Sequence, residues 1–437
     1  MDNKSRKEFA RRRKQLMRMM GVGGIAILPA SPERIRNRDV EYPYRPDSDF
    51  FYLTGFAEPE AVVVLVPGRA HGEYILFCRE KDPEKEIWTG RRAGQEGAKE
   101  IYEADDSFPI SDIDEILPGL LEHAERVYYT MGCVPDFDNR LLGWLKDIRQ
   151  KARTGSRTPD EFVSLEHSLH DMRLFKSKHE IKHMRKAIEI SINAHKRAMR
   201  KCKPGMTEYQ IEAEFMHEFR KHGAHYAYPP IVGGGANACI LHYTTNSDVL
   251  NDGDLLLIDA GAEYQCYAAD ITRTFPVNGK YSGEQKAVYE VVLEAQAAAI
   301  EAVKPGQQWH APHTAAVKIL ADGISQLKIL KGSSDYLIET EKYRQLYMHR
   351  TGHWLGMDVH DVGDYKVDEE WRELEPDMTL TVEPGLYIPA NSPDVHERWW
   401  NIGVRIEDDV LVKEKGCDVL TSAMPSSVAE IEVLMRD

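Results

Sequence analysis

The hydrophobic pattern changes character once along the chain. Over about the first 170 residues, short β-rich apolar runs such as Ala61-Val62-Val63-Val64-Leu65-Val66 and Tyr74-Ile75-Leu76-Phe77 alternate with helical stretches such as Asn139 to Ile148. This pattern predicts a small α/β domain. Near Ser177-Lys178-His179-Glu180 long helices take over: a Ser with Glu three residues on forms a capping box, opening a helix to about Lys201 that Lys203-Pro204-Gly205 stops. Thr207-Glu208-Tyr209-Gln210 opens a second helix ending at Gly223, and β-like segments follow from Ile231 to Val277. The order then recurs. Ser282-Gly283-Glu284-Gln285 opens a helix, Lys304-Pro305-Gly306 closes it, another runs to about Leu330, and strands follow. The two Lys-Pro-Gly stops lie 101 residues apart. This predicts an internal duplication: two helix-helix-sheet halves related by pseudo-symmetry, with a cleft between their sheets.

Length and composition narrow the function. The 437 residues are 42% hydrophobic and 29% charged, an ordinary globular balance sufficient for two or three domains. Lys+Arg 56 against Asp+Glu 71 leaves a net charge of −15, which argues against nucleic-acid and anionic-membrane partners. The six cysteines, Cys78, Cys133, Cys202, Cys239, Cys266 and Cys417, form no C-x-x-C pair, so reduced thiols in a cytoplasmic protein are expected. No apolar run approaches the roughly 18 residues of a membrane span. The basic run Arg11-Arg12-Arg13-Lys14 reads as the wet face of a first helix.

Two familiar motifs fail on context. Gly233-Gly234-Gly235-Ala236-Asn237-Ala238 matches G-x-G-x-x-A, but Cys239-Ile240-Leu241-His242-Tyr243-Thr244 after it reads as strand, not the helix a dinucleotide site needs. His217 and His222 are five apart, about 140° round a helix axis, and cannot grip one ion.

The informative positions are acidic. Leu255-Leu256-Leu257-Ile258-Asp259-Ala260-Gly261 is a buried β-run ending in a carboxylate, and Ala268-Ala269-Asp270-Ile271-Thr272-Arg273-Thr274-Phe275, Thr379-Leu380-Thr381-Val382-Glu383-Pro384-Gly385 and Gly403-Val404-Arg405-Ile406-Glu407-Asp408-Asp409 each set another inside an apolar β-run. Ionised carboxylates there need a compensating cation. His353, in the Gly-rich turn His349-Arg350-Thr351-Gly352-His353-Trp354-Leu355-Gly356, adds an imidazole. Asp259, Asp270, Glu383 and Glu407 carry −4 together, which two divalent ions balance. Oxygen-rich ligation with one imidazole favours manganese over zinc. Two such ions about 3.5–4 Å apart share a water and lower its pKa from 15.7 toward neutrality, making hydrolysis the natural reaction.

These residues resemble the aminopeptidase P group of the pita-bread metallopeptidases, related to prolidase, creatinase and methionine aminopeptidase. The likeness covers nearly the whole chain. It rests on Glu41-Tyr42-Pro43-Tyr44-Arg45, Ser48-Asp49-Phe50 and Thr54-Gly55-Phe56 in the first domain. In the second it rests on the runs around the five ligands, together with His242-Tyr243 and Asp358-Val359-His360-Asp361. From Asp259 the ligand spacings are 11, 83, 30 and 24 residues.

The resemblance implies a creatinase-like α/β domain over residues 1–175 and a pita-bread catalytic domain over 176–437. It implies that Asp270 and Glu407 bridge two ions, that Asp259 chelates one, and that His353 with Glu383 completes the other. The implied reaction removes an N-terminal residue from peptides whose second residue is proline, usually with manganese. His242 or His360 would stabilise the oxyanion, and Glu383 would relay the water's proton to the departing proline nitrogen. His349 and His360 would line the proline side, and Arg405 would anchor ligand or surrounding carboxylates. Prolidase shares every ligand, so a dipeptidase is the alternative enzyme; a non-catalytic peptide-binding protein is the alternative of another class. A homo-oligomer, dimer or tetramer, is expected. Trp88, in Ile87-Trp88-Thr89-Gly90-Arg91-Arg92, would wall a neighbouring active site or else be a partly buried core aromatic.

Overall fold

The computed structural model describes residues 2–436 in two compact units, Met1–Met172 and Arg173–Asp437. In the first unit, helix α1 (Asn3–Met20) precedes a six-stranded mixed sheet formed by β1 (Gly24–Pro29), β2 (Val62–Leu65), β3 (Tyr74–Cys78), β4 (Asp106–Pro109), β5 (Arg126–Tyr128) and β6 (Glu161–Val163). The spatial order is β4-β3-β2-β1-β5-β6. Strands β2 and β3 are buried along their whole length, which accounts for continuous apolar runs in place of alternation. Helix α2 (Pro135–Gln150) extends the predicted stretch at both ends and packs Leu141, Trp144, Leu145 and Ile148 into this core.

The basic run on α1 is not wholly wet. Arg12 and Arg13 are 1% and 5% exposed. Their guanidinium groups donate to the Tyr52 and Leu53 carbonyls at 3.1 and 2.8 Å and lie 4.0 Å over the Tyr52 and Tyr74 rings. The last turn of helix Ser48–Thr54 turns carbonyls of negative polarity beyond its own ladder, which draw these cations inward. Trp88 is 86% exposed on the short helix Pro83–Thr89, which buries no residue, so the core-aromatic expectation is overturned.

The second unit repeats one plan. Helices α3 (Lys178–Lys201) and α4 (Glu208–Lys221) precede β7 (Ile231–Gly234), β8 (Leu255–Asp259), the hairpin β9 (Ala262–Tyr264) and β10 (Tyr267–Ala268), and β11 (Thr272–Pro276). Helices α5 (Gly283–Ala302) and α6 (Ala311–Gln326) precede β12 (Thr379–Val382), β13 (Gly385–Ile388), β14 (Ile402–Arg405), β15 (Asp408–Val412) and β16 (Cys417–Val419). Both leading helices start in full capping boxes, Ser177 with Glu180 and Ser282 with Gln285. Both Lys-Pro-Gly stops end on a left-handed glycine, Gly205 at φ 86° and Gly306 at φ 79°. Each of these glycines donates its N–H to a leucine carbonyl far along the chain, Leu250 and Leu374. The duplication is thus built in hydrogen bonds as well as in sequence order. Antiparallel sheets β7-β8-β11 and β12-β15-β16 form the two halves.

The glycine-rich segment departs from expectation. Strand β7 ends at Gly234, Gly235 turns to φ 52°, and Gly235–Cys239 forms a short 3-10 turn, so the run from Cys239 is loop instead of strand. No α-helix follows it.

Candidate metal centre

The two halves are joined at strand ends, and the acids gather there. Asp259 is the last residue of β8, Asp270 sits two residues before β11, Glu383 directly follows β12, and Glu407 lies between β14 and β15. The sequence pattern ended the first β-run in a carboxylate, and Asp259 is indeed that last residue; it placed the other three within β-runs, and they stand instead just beyond strand ends, where side chains from different strands can converge. The Glu407 N–H donates to the Thr272 carbonyl at 3.1 Å, and the Thr274 hydroxyl bonds the Arg405 backbone, linking the halves. A Cβ on Gly352 would lie 2.0 Å from the Thr381 carbonyl oxygen; only glycine lets the His353 turn press against β12.

Side chains from four strand ends and one turn meet. Ligand atoms of Asp270, His353 and Glu407 all lie within 4.8 Å of one another. His353 Nε2 is 3.4 Å from Asp270 and 3.7 Å from Glu383. Its Nδ1 donates to the Trp354 carbonyl at 2.9 Å, the tie that aims Nε2 at the acids. Arg405 donates to Asp259 at 2.7 Å, and the Thr272 hydroxyl donates to Glu407 at 2.6 Å. Arg405 begins as the salt-bridge partner expected of it, not as an unengaged ligand anchor.

The electrostatics are unbalanced. Burial, followed by repulsion from Asp270, Glu383 and Asp259, pushes the Glu407 carboxyl well above its ordinary value. Burial raises Glu383 to about 7 and, with the charge of Asp259, raises Asp270. Burial also works against Asp259, but Arg405 and Tyr228 outweigh it and hold that carboxyl low. At His353 burial opposes charge, yet the bond to Asp270 and the field of Glu383 prevail and raise the imidazole to about 9. One guanidinium and one imidazolium do not offset four carboxylates. The donor chemistry fits divalent cations: several carboxylate oxygens, one oriented imidazole, and an excess of buried negative charge.

His242, His349 and His360 line the same cavity as these acids, about 760 Å³ in volume, so every predicted site residue is brought together. His360 lies with its ring 4.3 Å from that of His353. His349 donates from Nδ1 to the Arg350 carbonyl at 2.7 Å and accepts from the Tyr387 hydroxyl at 2.8 Å; burial lowers it to about 4. Sequence reasoning missed Tyr228 and Tyr387. The Tyr228 hydroxyl stands 2.6 Å from Asp259 and 2.5 Å from Asp270, while Tyr387 joins His349 to Arg405, which donates to it at 2.9 Å. Tyr228 directly precedes Pro229-Pro230, a turn signal that could have marked it.

The sequence and the fold match known proteins over nearly the whole chain. Residues 182–414 match the model of metallopeptidase family M24, and residues 9–128 match the aminopeptidase P N-terminal domain. The chain belongs to metallopeptidase family M24. It is 46% identical to the Xaa-Pro aminopeptidase of Escherichia coli (strain K12), over 100% of this chain and 99% of that protein. It superposes on the aminopeptidase PepP of Pseudomonas aeruginosa with a TM-score of 0.98, at 60% identity, covering 99% of this chain and 98% of that one. A zinc-substituted aminopeptidase P of E. coli in complex with product gives 0.96 at 45% identity, covering 99% and 98%. Membership of the family and the donor cluster together support the use of divalent metal.

Proposed function

We propose that this protein hydrolyses the bond between an N-terminal residue and a penultimate proline in peptides. The convergence of Asp270, His353 and Glu407 in a cavity also lined by Asp259, Glu383, His242 and His360 carries this reading. Full-length likeness to Xaa-Pro aminopeptidases supports the substrate class. An X-Pro bond is a tertiary amide without N–H, so a site for it must hold the carbonyl and the amine without using that hydrogen.

Asp259, Asp270, His353, Glu383 and Glu407 would hold two divalent ions, manganese by the oxygen-rich donor set. Bound there, the ions would supply Lewis acidity and a water acidified toward neutrality. Glu383 takes the proton of the attacking water and hands it to the proline nitrogen as that group leaves. His242 or His360 donates to the carbonyl oxygen as charge develops on it. His349, fixed between Arg350 and Tyr387, lines the proline side. Arg405 keeps Asp259 ionised and oriented.

The protein would act as a homo-oligomer, dimer or tetramer. Support comes from apolar side chains held out to solvent in the first unit, Ile87 and Trp88 on one short helix and Ile35, Val40 and Tyr42 near one hairpin. Trp88 would then wall a neighbouring active site. A cytoplasmic location is supported by six cysteines without a disulfide. No described helix is long and apolar enough to cross a membrane.

Steady-state cleavage of Arg-Pro-Pro and Arg-Pro, with manganese and with chelator, tests the proposal. We expect manganese-dependent release of arginine from the tripeptide. Cleavage confined to the dipeptide would make the protein a dipeptidase, and no cleavage of any X-Pro peptide after manganese addition would reject the reading.

A further inference from the structure

The geometry points to a second metal site, on the first two turns of α3 and apart from the acidic cavity: His179 and His183 form a two-imidazole clip for a borderline divalent transition-metal ion. The residues are four apart, so both rings stand on one helix face. Their Nε2 atoms are 3.1 Å apart, with ring centroids at 4.6 Å. Two imidazoles bound to one ion at about 2.0–2.1 Å have their nitrogens about 2.9–3.4 Å apart for angles between square and tetrahedral. The clip therefore has chelating geometry as it stands. His217 and His222, five apart, stand about 140° round the helix axis from one another.

The rings are also held in place. His183 stacks on Tyr267 of β10, centroids 5.7 Å apart and planes 14° from parallel, with Tyr264 of β9 beside it at 6.1 Å. Both rings are half-buried. Holding ligand rings in advance lowers the ordering cost that a helical histidine pair otherwise carries. In the N–H···N bond between the rings, one Nε2 donates and the other accepts. An ion takes the place of that shared proton, which moves to Nδ1 of the donor ring as that ring changes tautomer, leaving both Nε2 lone pairs for the metal.

The sequence His179-Glu180-Ile181-Lys182-His183 matches the H-E-x-x-H of zinc peptidases. Glu180 shows why this clip binds without hydrolysing. One of its oxygens accepts the Ser177 N–H at 2.9 Å in the capping box, and the other accepts the Tyr267 hydroxyl at 3.2 Å. That carboxylate is buried and committed to the helix start, so it does not serve as a base for metal-held water. Soft or borderline ions that prefer imidazole select this clip, while the carboxylate-rich cavity suits harder ions.

The test uses the full-length protein in saturating manganese with Ni²⁺ as probe. Calorimetric titration should find one more Ni²⁺ per chain in the wild type than in His179→Ala or His183→Ala, or an affinity for that ion at least about tenfold weaker in each variant. Manganese-dependent X-Pro cleavage should be unchanged in both, which separates this site from the catalytic one. Equal Ni²⁺ stoichiometry and affinity in wild type and both variants would overturn the clip. Anomalous diffraction from Ni²⁺-soaked crystals of the wild type decides independently of how the variants fold: a peak between the two Nε2 atoms is expected, and none at saturation rejects the site.

Discussion

Two clusters of buried charge in the second unit are treated in opposite ways. Asp361 is 1% exposed in its side chain and fully matched: one oxygen takes Arg173 at 2.6 Å and the other takes Lys176, itself 1% exposed, at 3.0 Å. Burial works to raise this carboxyl, but Lys176 and Arg173 prevail and lower it. At the cavity, Asp259, Asp270, Glu383 and Glu407 converge with Arg405 and the His353 imidazole to answer them, and three of the four are still pushed upward. Burial of charge is common to both, so it does not distinguish scaffold from site. The uncompensated sign does. Asp361 directly follows His360, so the matched cluster anchors the turn whose histidines face the unmatched one.

Substitutions can break this contrast. The largest effect is expected for Glu383→Gln in metal-loaded protein, with kcat falling about 10²–10⁴-fold or more; near-normal turnover would remove Glu383 from proton transfer. Next comes Asp361→Asn, which takes from buried Lys176 its carboxylate and leaves Arg173 to Asp358, and should cost about 3–5 kcal/mol in urea unfolding. Glu407→Gln should act with the other sign on chelator-treated protein. Removing one of several repelling acids raises its melting temperature while metal binding is lost, and a fall as deep as that of Asp361→Asn would show the two clusters to be alike.

The smallest effect sharpens the contrast through pH. In chelator-treated protein Glu383 is raised from 4.5 to about 7 and His353 from 6.5 to about 9. The folded state then holds protons that the unfolded chain releases earlier. The associated stability is fully present below the unfolded values and is lost as pH rises through the folded ones. Melting temperature should therefore decline between about pH 5 and 9 without metal, and decline less with it. A metal-free curve that climbs over this window would contradict the raised affinities.

The site was more legible than its supports. Each metal ligand stands in a short apolar run, so an acid there is anomalous by itself, and four such anomalies in one half of the chain read as a set. The exact seats of Asp270, Glu383 and Glu407 were misjudged because alternation cannot say where a strand ends; that depends on cross-strand partners such as Asp408 opposite Val382. Tyr387 was invisible because a tyrosine in a β-rich stretch looks like core until its hydroxyl finds partners such as His349 and Arg405, while Tyr228 carried only the turn signal of the prolines after it. Arg12 and Arg13 deceived for the converse reason. A basic run reads as surface unless the carbonyls that receive it, forty residues onward, are known. The His179–His183 pair was masked by Glu180, whose role in the capping box gave the segment a complete explanation.

The seam between the halves has one more consequence. Asp259 and Asp270 precede the capping box at Ser282, whereas His353, Glu383 and Glu407 follow it. A protease cut at that boundary would leave neither fragment with a full coordination sphere, however well each folded. Only reassociation of the two pieces could restore one, so catalytic competence is a property of the joint and cannot be inherited by either partner alone.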